Sequence, residues 1–245
     1  MTDPTPNSST SSAAQPKKGG FLSNLLFNIV IPVVILTKFS QESALGPVWS
    51  IIVALAFPIG FGLWEMRVTG KVNGFSILGV VSVLLTGGIS LLQLDPKYIA
   101  IKEAAIPGLI GLAVIISQGS RRSVVKLLIF NENIIQIARV HEALAELGNK
   151  AKFDQKMNIV THIVASSFFL SSGLNYMLAK LVLKSPAGTS QFNEELGRMT
   201  ALSYPVIVIP SMIVLIGAIF YLLAQLKSLT KLPLEELMVD GSKKS

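Results

Sequence analysis

The chain has 245 residues, of which 51% are hydrophobic and only 14% charged, and its mean hydropathy is +0.60. Soluble domains carry about 25% charged residues, so this composition argues against a water-soluble globular protein. Because the sequence contains no cysteine, disulfides, thiolate metal sites and cysteine nucleophiles are excluded. The net charge of +7 could suggest nucleic-acid binding. The positions of the charges instead favour a membrane-orientation signal, and no nucleic-acid partner is expected.

The first 20 residues are rich in Ser, Thr and Pro and have no apolar periodicity. This composition predicts a disordered tail over residues 1–20. A secretory signal begins with a short basic region, so the long polar stretch argues against one.

Six apolar runs follow the tail. Each has about 19–27 residues, enough to cross a hydrocarbon core of about 30 Å as a helix. Since backbone N–H and C=O groups in lipid must form hydrogen bonds with each other, each run is predicted to be helical. The predicted fold class is all-α, an integral membrane bundle of six transmembrane helices with a cytoplasmic amphipathic helical segment. The predicted spans are about 21–39, 48–66, 75–94, 98–118, 157–183 and 201–226.

Lys and Arg residues are concentrated in alternate segments between these runs. Fifteen of the 21 lie in the N-terminal tail, the loop after the second span, residues 120–156 and the C-terminal tail at 227–245. Segments rich in Lys and Arg stay on the cytoplasmic side of a membrane. Both termini and residues 120–156 are therefore predicted to be cytoplasmic.

The cytoplasmic segment 120–156 begins with a basic, apolar stretch. Arg121, Arg122 and Lys126 flank aliphatic residues, a pattern typical of chain lying along an anionic leaflet. The lipid bilayer, through its anionic inner leaflet, is thus an expected partner. A helix that docks a cytoplasmic protein is the alternative, and both could hold.

The remainder of this segment predicts an amphipathic helix that ends at the Gly-Asn pair 148–149. The predicted apolar face consists of Ile134, Ile137, Ala138, His141, Leu144 and Ala145.

Lys102 and Glu103 are the charges that intrude into the fourth predicted span. A start at Tyr98 gives that span its length but places both charges about one turn inside. Adjacent helical residues are about 100° apart, so the two side chains are not expected to face each other. Lys102 could extend to the interface, or both residues could make buried polar contacts with a function. The candidate partners are Lys38, Gln93, Asn175 and Lys180.

Other polar groups inside the spans are sparse. Asn28 and Asn175 are further candidates for functional polar contacts. No pair of carboxylates or histidines has a spacing suited to catalysis, so no catalytic residue, metal site or cofactor is expected. Small residues four apart, such as Ala104 and Gly108, predict close helix packing, as does the pair Gly87 and Gly88, and they suit a packed bundle or a homo-oligomer.

The stretch GVVSVLLTGGISLLQLDPKYIAIKEAAIPGLIGLAVIIS, followed by basic RRSVVKLLIF, resembles the intracellular septation protein A family of bacterial inner-membrane proteins. That family has a Gly-Gly span, a short acidic–basic turn, a Lys-containing helix start and a basic amphipathic segment in this order. The resemblance implies a bacterial inner-membrane protein with membrane, division or envelope proteins as partners. The positions of this chain that the resemblance implies to be important are Gly87, Gly88, Lys102 and Glu103.

Two functions are consistent with these features. The first is a non-catalytic membrane protein that acts in envelope integrity or cell division through protein or lipid contacts. The second is a small-solute or ion transporter or channel, with a polar path that involves Lys102, Glu103 and Asn175. An intramembrane enzyme is disfavoured because no nucleophile, base or ligand set converges.

Overall fold

The structure is a computed structural model that describes residues 23, 25–69, 74–120, 123–130, 132 and 134–239. Across these residues the chain forms helices and turns and no strand, so the all-α prediction is confirmed. The predicted tail at 1–20 lies outside the described residues. The helices are α1 (Leu26–Lys38), α2 (Gly46–Thr69), α3 (Gly74–Leu91), α4 (Lys97–Ile116), α5 (Val124–Leu128), α6 (Ile137–Glu146), α7 (Lys150–Val182), α8 (Ser190–Thr230) and α9 (Leu234–Leu237).

Among the described residues, four helices are long and apolar enough to cross a membrane, as expected of a membrane protein. They are Gly46–Trp64 of α2, Lys97–Ile116, Lys150–Val182 and Ser190–Thr230. The apolar helices Leu26–Lys38 and Val80–Leu91 are shorter. The described residues therefore account for four of the six predicted spans by length and composition, and the other two stay a prediction.

The two long C-terminal helices begin earlier than the predicted spans. α7 starts at Lys150 instead of residue 157, and α8 starts at Ser190 instead of residue 201. In both, polar turns precede the apolar run. Hydropathy identifies the part of a helix that suits lipid, whereas helicity extends through any turns whose backbone bonds are satisfied.

The tetrapeptide Ile-Val-Ile-Pro occurs twice, and both copies adjoin a π-helical turn. These turns are Leu26–Val30 in α1 and Tyr204–Val208 in α8, and each ends at the Val of the tetrapeptide. Pro32 and Pro210 have no N–H, and a proline ring crowds the carbonyl four residues before it. A wider turn relieves that clash, so the repeated sequence marks the same local structure twice.

Buried apolar residues form two clusters, one near each end of the bundle. The first joins the end of α4 to α5, α6, α7 and the last turns of α8, and includes Val114, Val125, Val160, Leu226 and Leu237. We call this the basic end. The second joins α1, α2, α4, α7 and the first turns of α8, and includes Leu36, Ile51, Ile99, Leu178 and Phe192. We call this the opposite end.

The amphipathic helix α6 buries a face that only partly overlaps the predicted one. Val140, Ala143 and Leu144 are buried, whereas Ala138 and His141 are exposed. The prediction is confirmed for Leu144 and wrong for Ala138 and His141, because the apolar pattern allowed two neighbouring faces and packing at the basic end selects one of them.

The C-terminal segment, predicted as part of a tail at 227–245, supplies much of that packing. α8 continues through Thr230, and Leu237 of α9 is fully buried in the basic-end cluster. The backbone of Ile135 bridges to Met238, and Arg139 pairs with Glu236. Segments that are distant in the sequence therefore pack against each other at the basic end.

Candidate functional site

The most deeply placed charged side chain among the described residues is Lys102 on α4, whose side chain is 7% exposed. Its ammonium crosses to α3. The Nζ atom lies 2.7 Å from Thr86 Oγ1, 3.1 Å from Ser82 Oγ and 3.3 Å from the Ser82 carbonyl oxygen. The ammonium donates to these three oxygens, so Lys102 links α4 to α3.

The direction of this side chain bears on the two alternatives for Lys102. Lys102 lies about 8 Å from the start of α4, because five residues separate it from Lys97. Its partner Ser82 lies about 14 Å from the end of α3 at Leu91. The ammonium therefore extends toward the middle of the bundle and away from the opposite end, where an interfacial lysine would extend.

Glu103 completes the site. Its Oε1 atom lies 2.7 Å from Lys102 Nζ, and its side chain is 27% exposed. The expectation that the two side chains do not face each other is wrong. The 100° separation holds for the Cβ atoms, whereas the four-carbon stem of Lys102 lets its ammonium reach the neighbouring carboxylate.

The ammonium thus has four oxygen neighbours for its three N–H groups. A buried charge is tolerated only when it is paired and hydrogen-bonded. Glu103 supplies the opposite charge, and Ser82 and Thr86 supply neutral acceptors. Lys102 makes these contacts instead of contacts with the four predicted partners.

Three hydroxyl residues, Ser82, Thr86 and Ser90, follow one face of α3 at four-residue spacing. Thr86 Oγ1 donates to the Ser82 carbonyl at 3.1 Å, and Ser90 Oγ donates to the Thr86 carbonyl at 2.8 Å. Because the Thr86 hydrogen is donated within its own helix, its lone pairs are available to Lys102. The prediction included neither Ser82 nor Ser90, although their spacing on an otherwise apolar helix was a usable signal.

Asn175 does not join this site. Its Nδ2 atom donates to the Ser171 carbonyl of the same helix at 2.8 Å. Asn28 is half-buried within the π-helical turn of α1. Of the three residues in the predicted polar path, Lys102 and Glu103 lie together with Ser82 and Thr86, and Asn175 lies apart from them.

The three glycines predicted to pack helices differ in their surroundings. A Cβ added to Gly87 would lie 2.7 Å from Leu55 Cδ1 on α2, and one added to Gly108 would lie 3.2 Å from Ser172 Oγ on α7. A Cβ added to Gly88 would meet no atom within 4 Å. Gly87 and Gly108 thus lie where two helices of the same chain approach each other closely, and Gly88 does not.

A second buried polar group at the opposite end contains only neutral side chains. Asn193 of α8 is fully buried, and its Nδ2 atom donates to the Pro47 carbonyl at 2.7 Å and to Ser50 Oγ at 3.0 Å. Ser40 Oγ donates to Ser50 Oγ at 3.0 Å. This group joins α8 to α2 and to the end of α1. No periodic pattern in the sequence predicts this group, because Asn193 lies in a polar stretch.

The predicted lipid-surface residues are only partly described. Arg121 and Arg122 lie outside the described residues. Lys126 is half-buried on α5, and its Nζ atom lies 3.5 Å from the Ser120 carbonyl. Among the described residues, Lys126 is thus the basic side chain of this stretch that lies next to the end of α4.

The positions of the described acidic and histidine side chains bear on whether the chain could hold a metal ion. In the part of the chain that the structure describes, no group of three or more His, Asp or Glu side chains could hold a metal ion. The chain matches no protein-family model, no curated protein and no solved structure. Lys102, Glu103, Ser82 and Thr86 thus form the candidate site on geometry alone.

Proposed function

We propose that the chain is a non-catalytic, multi-pass protein of a bacterial inner membrane that acts in envelope integrity or cell division through protein or lipid contacts. The observation that supports this best is the pairing of Lys102. Its ammonium is engaged by acceptors of the chain itself, and Glu103 offsets its charge. Such a site joins helices without requiring a substrate.

The proposal includes six spans with both termini in the cytoplasm. The additional spans are α1 and α3, and the 18 residues of α3 measure about 27 Å along the helix axis. In this orientation the basic end faces the cytoplasm, as its Lys and Arg content favours. The septation protein A resemblance supplies the envelope or division role.

The topology is tested with single cysteines, because the native chain has none. Ser43→Cys and Lys184→Cys, both exposed at the opposite end, should react with an impermeant maleimide added outside intact cells. Glu146→Cys, exposed at the basic end, should react only after the cells are opened. The reverse pattern would contradict the orientation.

The function is tested by separating structure from turnover. A strain that lacks the protein should show a division or envelope-permeability defect, and the paired variant Lys102→Met/Glu103→Gln should correct it whenever it accumulates in the membrane. If the protein needs the ion pair for turnover, this variant would fold but would not correct the defect.

A second candidate is a transporter or channel for small cations. The row of hydroxyl residues on α3 favours it, because Ser82 and Thr86 bind an ammonium that a free cation could replace. Purified protein in liposomes should show no flux of potassium, sodium or protons under the first proposal. Flux that disappears in folded Glu103→Gln protein would support the transporter instead.

A further inference from the structure

An apolar groove of about 460 Å³ lies between the start of α1 and the second half of α2. Its walls are mostly aromatic. The residues that line it include Ser23, Phe27, Phe57, Gly60, Phe61 and Trp64. It is separate from the Lys102 site, which lies between α3 and α4.

The aromatic wall is formed by rings that support one another. Phe27 of α1 stacks on Phe57 and Phe61 of α2, with ring centroids 6.3 Å and 5.6 Å apart. Phe61 also contacts Trp64 at 5.7 Å. Aromatic pairs at these separations are favourable beyond their buried area, so the wall is formed without an occupant.

Gly60 keeps the groove open. A Cβ added at Gly60 would meet no atom within 4 Å, although the residue lies between Phe57 and Phe61. A side chain larger than glycine would therefore project into free space and reduce the volume.

The length and position of the groove suit one lipid leaflet. It extends from Ala56 to Trp64, eight residues or about 12 Å along α2. One leaflet contributes about half of a hydrocarbon core of about 30 Å. Trp64 is 58% exposed, as expected of a tryptophan at the headgroup level.

A positive charge lies about one helical turn beyond Trp64, the last groove residue of α2. Arg67 is exposed and follows Trp64 by three residues, about one helical turn further toward the basic end. In the predicted orientation this is the cytoplasmic leaflet, where anionic lipids attract basic residues. On the hydrocarbon side of the headgroups, an apolar groove is surrounded by acyl chains.

We infer that this groove binds an acyl chain of an anionic phospholipid from the cytoplasmic leaflet, with its headgroup beside Arg67. The aromatic side chains contact the acyl chain, and the guanidinium selects the headgroup charge. The inference rests on the predicted orientation and not on the role in division or the envelope.

The test uses the fluorescence of Trp64. Trp49→Phe leaves Trp64 as the single tryptophan, since the chain contains two. The protein is placed in phosphatidylcholine vesicles that contain a small fraction of phosphatidylglycerol with brominated acyl chains. Quenching should correspond to about fivefold enrichment of the anionic lipid at Trp64 over its bulk share, the effect of one basic residue near the surface.

Substitutions separate the groove from the headgroup contact. Gly60→Leu should return quenching to the level set by bulk composition, and Ala56→Leu should lower it by an independent change in the same groove. Gly173→Leu on α7 is the matched control, because a Cβ there also meets no atom within 4 Å, and quenching should not change. Arg67→Gln should remove the preference for phosphatidylglycerol over brominated phosphatidylcholine.

Three results would overturn the inference. The first is quenching at the bulk level in the starting protein. The second is enrichment that persists in folded Gly60→Leu and Ala56→Leu proteins. The third is dimerisation that protects Trp64 from both brominated lipids, since a second copy would then occupy the groove. Each result is independent of the division or permeability assay.

Discussion

Helix α4 packs against its two neighbours in different ways. Against α7 it presents small residues, and added Cβ atoms at Gly108 and Gly111 would lie 3.2 Å from Ser172 Oγ and 3.1 Å from Phe169 Cε1. Against α3 it presents Lys102, whose ammonium binds two hydroxyl residues. The α4–α7 interface depends mainly on close approach, with one hydrogen bond from Ser172, whereas the α3–α4 interface depends on polar contacts.

The difference follows from the lipid environment. Apolar side chains gain little by leaving lipid for another helix, so helices associate through close packing or through polar contacts. α4 and α7 make extensive contact along their lengths, whereas α3 and α4 make few contacts beyond the polar site. The α3–α4 interface should therefore depend far more on a few side chains than the α4–α7 interface does.

The largest effect is expected from removing one member of the ion pair. Lys102→Met leaves Glu103 without its opposite charge and should lower the free energy of unfolding by about 3 kcal/mol. Unfolding in mixed micelles of mild and denaturing detergent measures this value. Lys102→Met/Glu103→Gln is the control, and it should recover much of the loss because no uncompensated charge remains. A double variant as unstable as the single one would show that charge compensation is unimportant.

A smaller effect is expected from crowding the α4–α7 interface. Gly111→Val places a branched side chain against Phe168 and Phe169 and should cost about 2 kcal/mol. Gly173→Val is the matched control, since its position is open, and it should change stability little. Equal losses in the two variants, measured by the same unfolding assay, would mean that close approach does not stabilise this interface.

The neutral acceptors of Lys102 should matter less than its opposite charge. Thr86→Val keeps the shape of the side chain but removes an oxygen 2.7 Å from the ammonium, and should cost about 1.5 kcal/mol. Ser90→Ala is the control, because Ser90 is buried on the same face and donates only within its helix. A loss in Ser90→Ala as large as that in Thr86→Val would point to helix bending rather than to the contact with Lys102.

The smallest effect is expected from the neutral hydrogen bond between α4 and α7. Ser172 Oγ donates to the Ala104 carbonyl at 2.7 Å. Ser172→Ala should cost about 0.6 kcal/mol, as interhelical hydrogen bonds in membranes average. Ser166→Ala removes an exposed hydroxyl that bonds within α7 and should be neutral. A loss above that of Thr86→Val would reverse the ranking of the two interfaces.

The sequence predicts the helices better than their contacts. The fourth predicted span at 98–118 differs little from α4 at Lys97–Ile116, because apolar length is a local property. Lys102 stood out for a similarly local reason, as a charge within an apolar run. The spacing of the hydroxyl residues marks a polar face of α3, but the sequence does not show that this face meets Lys102, so Ser82 and Thr86 could not be assigned as its partners.

The remaining differences also arise from tertiary contacts. The buried face of α6 includes Val140 rather than His141, because packing at the basic end selects one of two similar faces. Asn193 lies in a polar stretch that predicts exposure, yet it is fully buried where α8 meets α2. Periodicity identifies an amphipathic helix, but the neighbours decide which residues become inaccessible.

The most direct test of the polar link between α3 and α4 is a double-mutant cycle in lipid. Stabilities are measured for Lys102→Met, Thr86→Val and the combined variant, with Lys102→Met and Ser172→Ala as the reference pair. Lys102 and Thr86 should couple by about 1–2 kcal/mol, as residues in one network do, while Lys102 and Ser172 should be additive. Additive losses for Lys102 and Thr86 would contradict a direct contact between the ammonium and α3.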